Sequence, residues 1–162
     1  MIPRAALAAA LLAAAPAGAG PLDGKRYMIE LSSSQYGSGY GEYLVPPLAA
    51  ALAKTGLRAA RQPPADIIVN VVTDSDVGRW VGAGASRQWL YTVTVTVGLS
   101  PEAYVIPPDG TPAFGVRATL VTPNPDREDE LACLIRLAAR TAVANWRPTG
   151  MLGTDGSACL RR

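Results

Sequence analysis

The stretch Gln88-Trp89-Leu90-Tyr91-Thr92-Val93-Thr94-Val95-Thr96-Val97 reads as a β-strand, and it decides the fold class. β-Branched and aromatic residues suit a pleated surface, and successive side chains of a strand point to opposite faces. Trp89, Tyr91, Val93, Val95 and Val97 therefore share one face, and Thr92, Thr94 and Thr96 the other. One buried face and one wetter face is the pattern of an antiparallel sheet.

The neighbouring segments extend that sheet. Phe114, Val116, Ala118 and Leu120 alternate with Arg117 and Thr119, which predicts a strand over 114–122. Asp66 to Thr73 is apolar on both faces apart from Asn70, the pattern of an interior strand. Tyr27 to Leu31 makes a further strand. "DSDVGRWVGAGASR" (74–87) reads as a long turn-prone connection, and "SPEAYVIPPDGTPA" (100–113) as a loop with turn chemistry at Pro107 to Gly110.

Two helices complete the pattern. The first covers 44–56, with Leu44, Leu48 and Leu52 in one stripe, Pro46-Pro47 in its first turn and Gly56 at its end. The second covers 125–146. Asn124 or Thr122 can cap it, and Asp126, Glu128, Asp129 and Glu130 crowd its amino end while Arg136, Arg140 and Arg147 follow, an order that complements the helix dipole. The order βαβββα predicts an α+β fold: a single domain over 20–147, its mostly antiparallel sheet carrying two helices on one face. Residues 148–162 read as an irregular tail.

The amino end has a different character. Arg4 precedes an apolar run from Ala5 to Ala15 and small residues follow, the layout of a secretory signal peptide over 1–19. The expected location is the periplasm or the exterior, and no stretch is long enough for a transmembrane segment. Cys133 and Cys159 both lie in the exported part, where an isolated pair reads first as a disulfide tethering the tail to the second helix. Removing 1–19 takes Arg4, so the fifteen basic residues become fourteen against thirteen acidic ones. That balance, without clusters, argues against nucleic acid as a partner.

The chain contains no histidine. This removes Ser-His-Asp and Cys-His catalysis and histidine-bearing metal sites. No cofactor and no metal are expected. The glycine loop Gly37-Ser-Gly39-Tyr-Gly41 lacks the G-x-G-x-x-G spacing and has no P-loop lysine, so it does not read as a phosphate cradle. Its tyrosines, Tyr36, Tyr40 and Tyr43, suit a contact surface or else cover a sheet edge. Trp80, with Arg79 and Arg87 nearby, reads as an aromatic and basic patch for glycan or peptide, or as a ring packed at the sheet end. Asp74-Ser-Asp76 is a solvated turn rather than a calcium loop.

The element order, carried by Tyr27–Leu31, the 44–56 helix, the strands at 66–73, 88–97 and 114–122 and the 125–146 helix, resembles a group of small bacterial envelope domains. These are the LPS-assembly lipoprotein of the outer-membrane translocon, the amino-terminal domain of the Tol-system propeller protein, and the curli-secretion and penicillin-binding-protein-activator lipoproteins. This chain departs from the lipoprotein members in having no lipobox cysteine. The resemblance implies a non-enzymatic periplasmic binding or assembly factor whose partner is an envelope protein. Two other readings stand beside it: a carboxylate-dependent enzyme acting on glycan or peptide, and a small secreted inhibitor or ligand-binding protein.

Overall fold

The computed structural model describes residues 20–31 and 41–160. The expected signal segment and the loop holding Tyr36 and Tyr40 lie outside the described residues. The elements run β1 (Arg26–Ile29), α1 (Gly41–Leu52), β2 (Arg58–Ala59), β3 (Ile67–Ser75), β4 (Arg79–Val81), β5 (Gln88–Pro101), β6 (Phe114–Thr122), α2 (Glu128–Ala144) and β7 (Gly150–Asp155). The fold is α+β. Its sheet has the order β2-β1-β3-β5-β6-β7, with β4 attached to β5.

The centre of the sheet is antiparallel, and each flank ends in a parallel pair. β3, β5 and β6 form a long antiparallel meander, whereas β1 runs parallel to β3 and β7 parallel to β6. A parallel pair needs a crossover, and here each crossover contains a helix: α1 between β1 and β3, α2 between β6 and β7. The two helices pack on each other, and α2 packs on β5 and β6.

Between them lies the core. Val93, Val95, Val97 and Leu99 of β5 meet Phe114, Val116, Ala118 and Leu120 of β6, under Leu134, Ile135 and Ala138 of α2 and Leu44, Leu48 and Leu52 of α1. The valine column expected on one face of β5 is therefore buried. Its outer members are not: Tyr91 is half-buried and Trp89 exposed, because β5 runs out beyond the helices.

Several boundaries differ from expectation for physical reasons. α1 starts at Gly41, so Pro46 and Pro47 sit inside the helix and remove two of its amide donors. The apolar stripe Leu44, Leu48, Leu52, wholly buried, holds the helix together despite them. α2 starts at Glu128 rather than at Pro125. The reason is Glu130, buried in the third helical position, whose Oε1 accepts hydrogen bonds from the Thr122 hydroxyl (3.1 Å) and the Asn124 amide. Thr122 and Asn124 thus hold the turn before the helix instead of capping it. The tail is not irregular. Gly150–Asp155 pairs along β6 from Phe114 to Thr119, and a 3-10 turn follows at Ser157–Cys159. Cys159 there bridges to Cys133 of α2, with Cα atoms 5.6 Å apart.

The sheet face away from the helices is covered by chain rather than by helix. Gly98 and Gly115 are cross-strand partners, and Pro112 lies across both. Asn70, one strand over and paired with Gly98, donates from Nδ2 to the Gly110 carbonyl at 2.7 Å. The 102–113 loop is fastened down by these contacts.

Candidate functional site

The segment 74–87 expected as an open connection is a β-hairpin. Arg79, Trp80 and Val81 of β4 pair with Leu90, Trp89 and Gln88 of β5. A Gly-rich turn closes it: Gly82 and Gly84 have φ of 90° and 54°, values a side chain would resist, and a 3-10 turn spans Gly84–Ser86. Residues 88–90 of β5 have β4 as their partner, while 91–99 pair with β6. The hairpin therefore stands off the end of the main sheet. β3 runs into it at Ser75, and α2 begins beside it at the end of β6.

One face of this arm carries a continuous row of rings and guanidinium groups. Trp80 and Trp89, direct cross-strand partners, meet edge to face at 5.4 Å between ring centroids. Trp89 meets Tyr91 in the same manner at 6.5 Å. Arg87 lies over Trp80 at 4.7 Å and Arg127, just before α2, over Tyr91 at 4.6 Å. Both distances suit a cation–π contact. The order along the arm is Arg87, Trp80, Trp89, Tyr91, Arg127, so a cation closes each end of an aromatic ladder. Trp89 lies against the backbone of Gly78, where any Cβ would overlap its indole. The glycine is what lets the indole come this close to the turn.

Asp76 locks the base of the arm. Its Oδ1 accepts from the Thr92 amide at 2.8 Å and the Gly78 amide at 3.0 Å, and its own amide donates to the Thr92 carbonyl. The Thr92 amide bond is the main cause that holds the Asp76 carboxyl below the ordinary carboxylate value; the Gly78 amide and the charge of Arg79 act in the same direction, and partial desolvation opposes them. A depressed folded-state pKa stabilises above the unfolded value and is lost as pH falls through the folded one. The hairpin is thus expected to keep its geometry from neutral pH through mild acid and to loosen below the ordinary aspartate range. Tryptophan emission followed during an acid titration checks this, in a Trp146→Phe background so that the hairpin indoles report. Asp76→Asn should abolish that transition; if it persists unchanged in the variant, Asp76 is not its origin.

The sequence candidates are distributed unevenly over this geometry. Trp80 is in the ladder, 54% exposed. Arg79 is next to it in β4 and opposite Leu90, so strand alternation turns it to the other face, and Arg87 is the arginine that covers the indole. Tyr43 is exposed in the first turn of α1, apart from the ladder's ring contacts. Tyr36 and Tyr40 lie outside the described residues. Trp89, Tyr91 and Arg127 were not among the candidates. Two β-prone runs, Arg79-Trp-Val81 and Gln88-Trp-Leu-Tyr91, separated by the six residues Gly82-Ala-Gly-Ala-Ser-Arg87, are a hairpin signal with a longer Gly-bearing loop that can pair the two tryptophans.

The ladder's groups are ring faces and N–H donors, with one phenol. It can stack on and hydrogen-bond a ligand. Among the described residues no group of three Cys, Asp or Glu side chains is placed to hold a metal ion. Glu130 is enclosed by the β6–α2 turn, where it serves the fold.

No family model matches the chain, and no curated protein matches it. Among solved structures it is similar to a minor lipoprotein from Acinetobacter baumannii, determined at 2.35 Å, with 14% identity and a TM-score of 0.40 over 74% of this chain and 86% of that one.

Proposed function

We propose that the protein is an exported, non-enzymatic binding or assembly factor of a bacterial cell envelope, and that the β4–β5 hairpin is its gripping element. The observation that carries this reading is the aromatic ladder itself. Trp80 and Trp89 are 54% and 37% exposed on an arm that stands clear of the core, ordered by neighbours rather than buried by them. Large rings held in place in solvent lose little freedom on binding and bring large contact area. The signal-like amino end supports the envelope setting. The Cys133–Cys159 bridge, a bond that persists in oxidising compartments, supports it too.

Affinity capture from envelope extracts tests the reading. The tagged protein is expected to retain an envelope component, and Trp80→Ala with Trp89→Ala to lose it while keeping its far-UV circular dichroism. Capture that is indifferent to the ladder would remove the hairpin from the reading. Turnover of a glycan or peptide by the pure protein, abolished by a carboxylate substitution, would replace it with the enzymatic one.

A further inference from the structure

The hairpin's composition says more than that it binds. From Val77 to Pro101 the chain has no aspartate or glutamate, and from Trp80 to Ser86 no charge of either sign. Every residue from Arg79 to Trp89 is exposed. Apolar side chains stand on both faces of the arm: Trp80 and Trp89 on one, Val81 and Leu90 beside Arg79 and Gln88 on the other, with Val77, 89% exposed, at its root. Arg79 and Arg87 are its only charges, one on each strand side of the turn. Acidic residues return only at its inner end, in Asp74, Asp76 and the Asp126–Asp129 run.

We propose that this hairpin seats the protein on the surface of a phospholipid bilayer bearing anionic headgroups. The inference rests on the hairpin being the gripping element and names what it grips. Indole rings favour the membrane interface, where an apolar body and a polar N–H are both accommodated. The uncharged Gly82–Ser86 turn can enter the headgroup boundary, and the two arginines meet lipid phosphates there. A protein pocket could also receive two indoles, but it would not by itself call for an arm with apolar side chains on both faces, basic residues as its only charges and a tip of small residues. The depth is limited. The turn's backbone groups cannot be left unsatisfied in hydrocarbon, and the carboxylates at the inner end repel an anionic surface. The bilayer therefore takes the arm down to about Trp89.

The test uses the exported chain, residues 20–162, with two vesicle preparations, phosphatidylglycerol mixed with phosphatidylcholine and phosphatidylcholine alone. Co-sedimentation is expected with the first and is expected to weaken as salt is raised. In the Trp146→Phe background, tryptophan emission should shift to the blue and be quenched by lipid-borne spin labels near the headgroups. Arg79→Gln and Arg87→Gln should each reduce binding about fivefold, and each indole-to-alanine change on the order of tenfold. Ala85→Asp leaves the ladder intact and puts a carboxylate at the tip. It should abolish binding while the Trp80–Trp89 signal in circular dichroism stays, which separates loss of seating from loss of fold. Failure to bind anionic vesicles, equal binding to both preparations, or binding untouched by Ala85→Asp overturns the proposal. If vesicle binding fails while ladder-dependent capture of a soluble envelope protein succeeds, the lipid assignment falls and the binding-factor reading stands; if both fail, that reading falls as well.

Discussion

Removing the Cys133–Cys159 bridge, by Cys133→Ala with Cys159→Ala, is expected to destabilise the protein by on the order of 3–4 kcal/mol. The bridged residues are 26 apart in sequence, and the figure follows from the entropy that a loop of that length withholds from the unfolded chain. For a chain of this size the loss corresponds to a fall in Tm of about 10 °C. The native state has its own reason to suffer. β7 is an edge strand of six residues containing Gly150 and Gly153, and among the described residues its pairing with β6 is its only ladder. Glycine costs more backbone entropy to order than any other residue. The bridge anchors the chain just past the strand to the middle of α2, whose Leu134 packs against Gly156 so closely that a Cβ there would strike it. Reduction should accordingly release β7 before the rest unfolds. Hydrogen exchange on the reduced protein checks that order. Protection lost at Gly150–Asp155 first, with β3, β5 and β6 still protected, is the expected result; simultaneous loss would show that the strand does not depend on the bridge.

This weak strand also shows where the sequence can be read and where it cannot. β6 is legible to the residue because Phe114, Val116, Ala118 and Leu120 alternate strictly and one face is buried. β5 is legible for the same reason between Val93 and Val97. β7 has no such alternation; it exists because β6 offers an open edge and a covalent tether brings the chain to it. Both helices are visible from their apolar spacing, but their starts are set by tertiary contacts. Glu130, drawn down to Thr122 and Asn124, moves the start of α2 past Pro125, and no local propensity announces that. The candidate site divides in the same way. Trp80 and the nearby arginines are visible as residue types. The ladder needs the register that sets Trp80 opposite Trp89, and it needs Arg127, which is 47 positions from Trp80 in the chain and reaches Tyr91 only because β6 ends beside it.

Gly98→Val is expected to be among the most damaging single substitutions, at roughly 2–5 kcal/mol, with overpacking and a lost buried hydrogen bond each contributing about 1–3 kcal/mol. Gly98 has ordinary strand geometry, so space rather than backbone freedom requires it. A Cβ at this position would overlap the Asn70 Oδ1 and the Pro112 ring together. Asn70 is 1% exposed and donates to the Gly110 carbonyl. Pro112 is pinned between Gly98 and Gly115, and Met151 of β7 lies against Gly115 from the other side. The new side chain must therefore push out the 102–113 loop, break the Asn70 bond, or bend β5 away from β3. Each route opens the face of the sheet that lies away from α1 and α2. Urea unfolding measures the cost. Gly98→Ala, compared in the parent and in Pro112→Gly, measures the shared part, because the second change removes the ring that the methyl would strike. A coupling of about 1 kcal/mol or more is expected for residues in direct contact; additivity would mean that Asn70 alone carries the conflict. β5 is one strand from Gln88 to Pro101, so damage at Gly98 reaches the arm that Trp89 stands on. The hairpin's tryptophan emission should follow the same unfolding curve as the circular dichroism. An arm that melts separately would mean that Asp76 and the ladder hold it without the sheet.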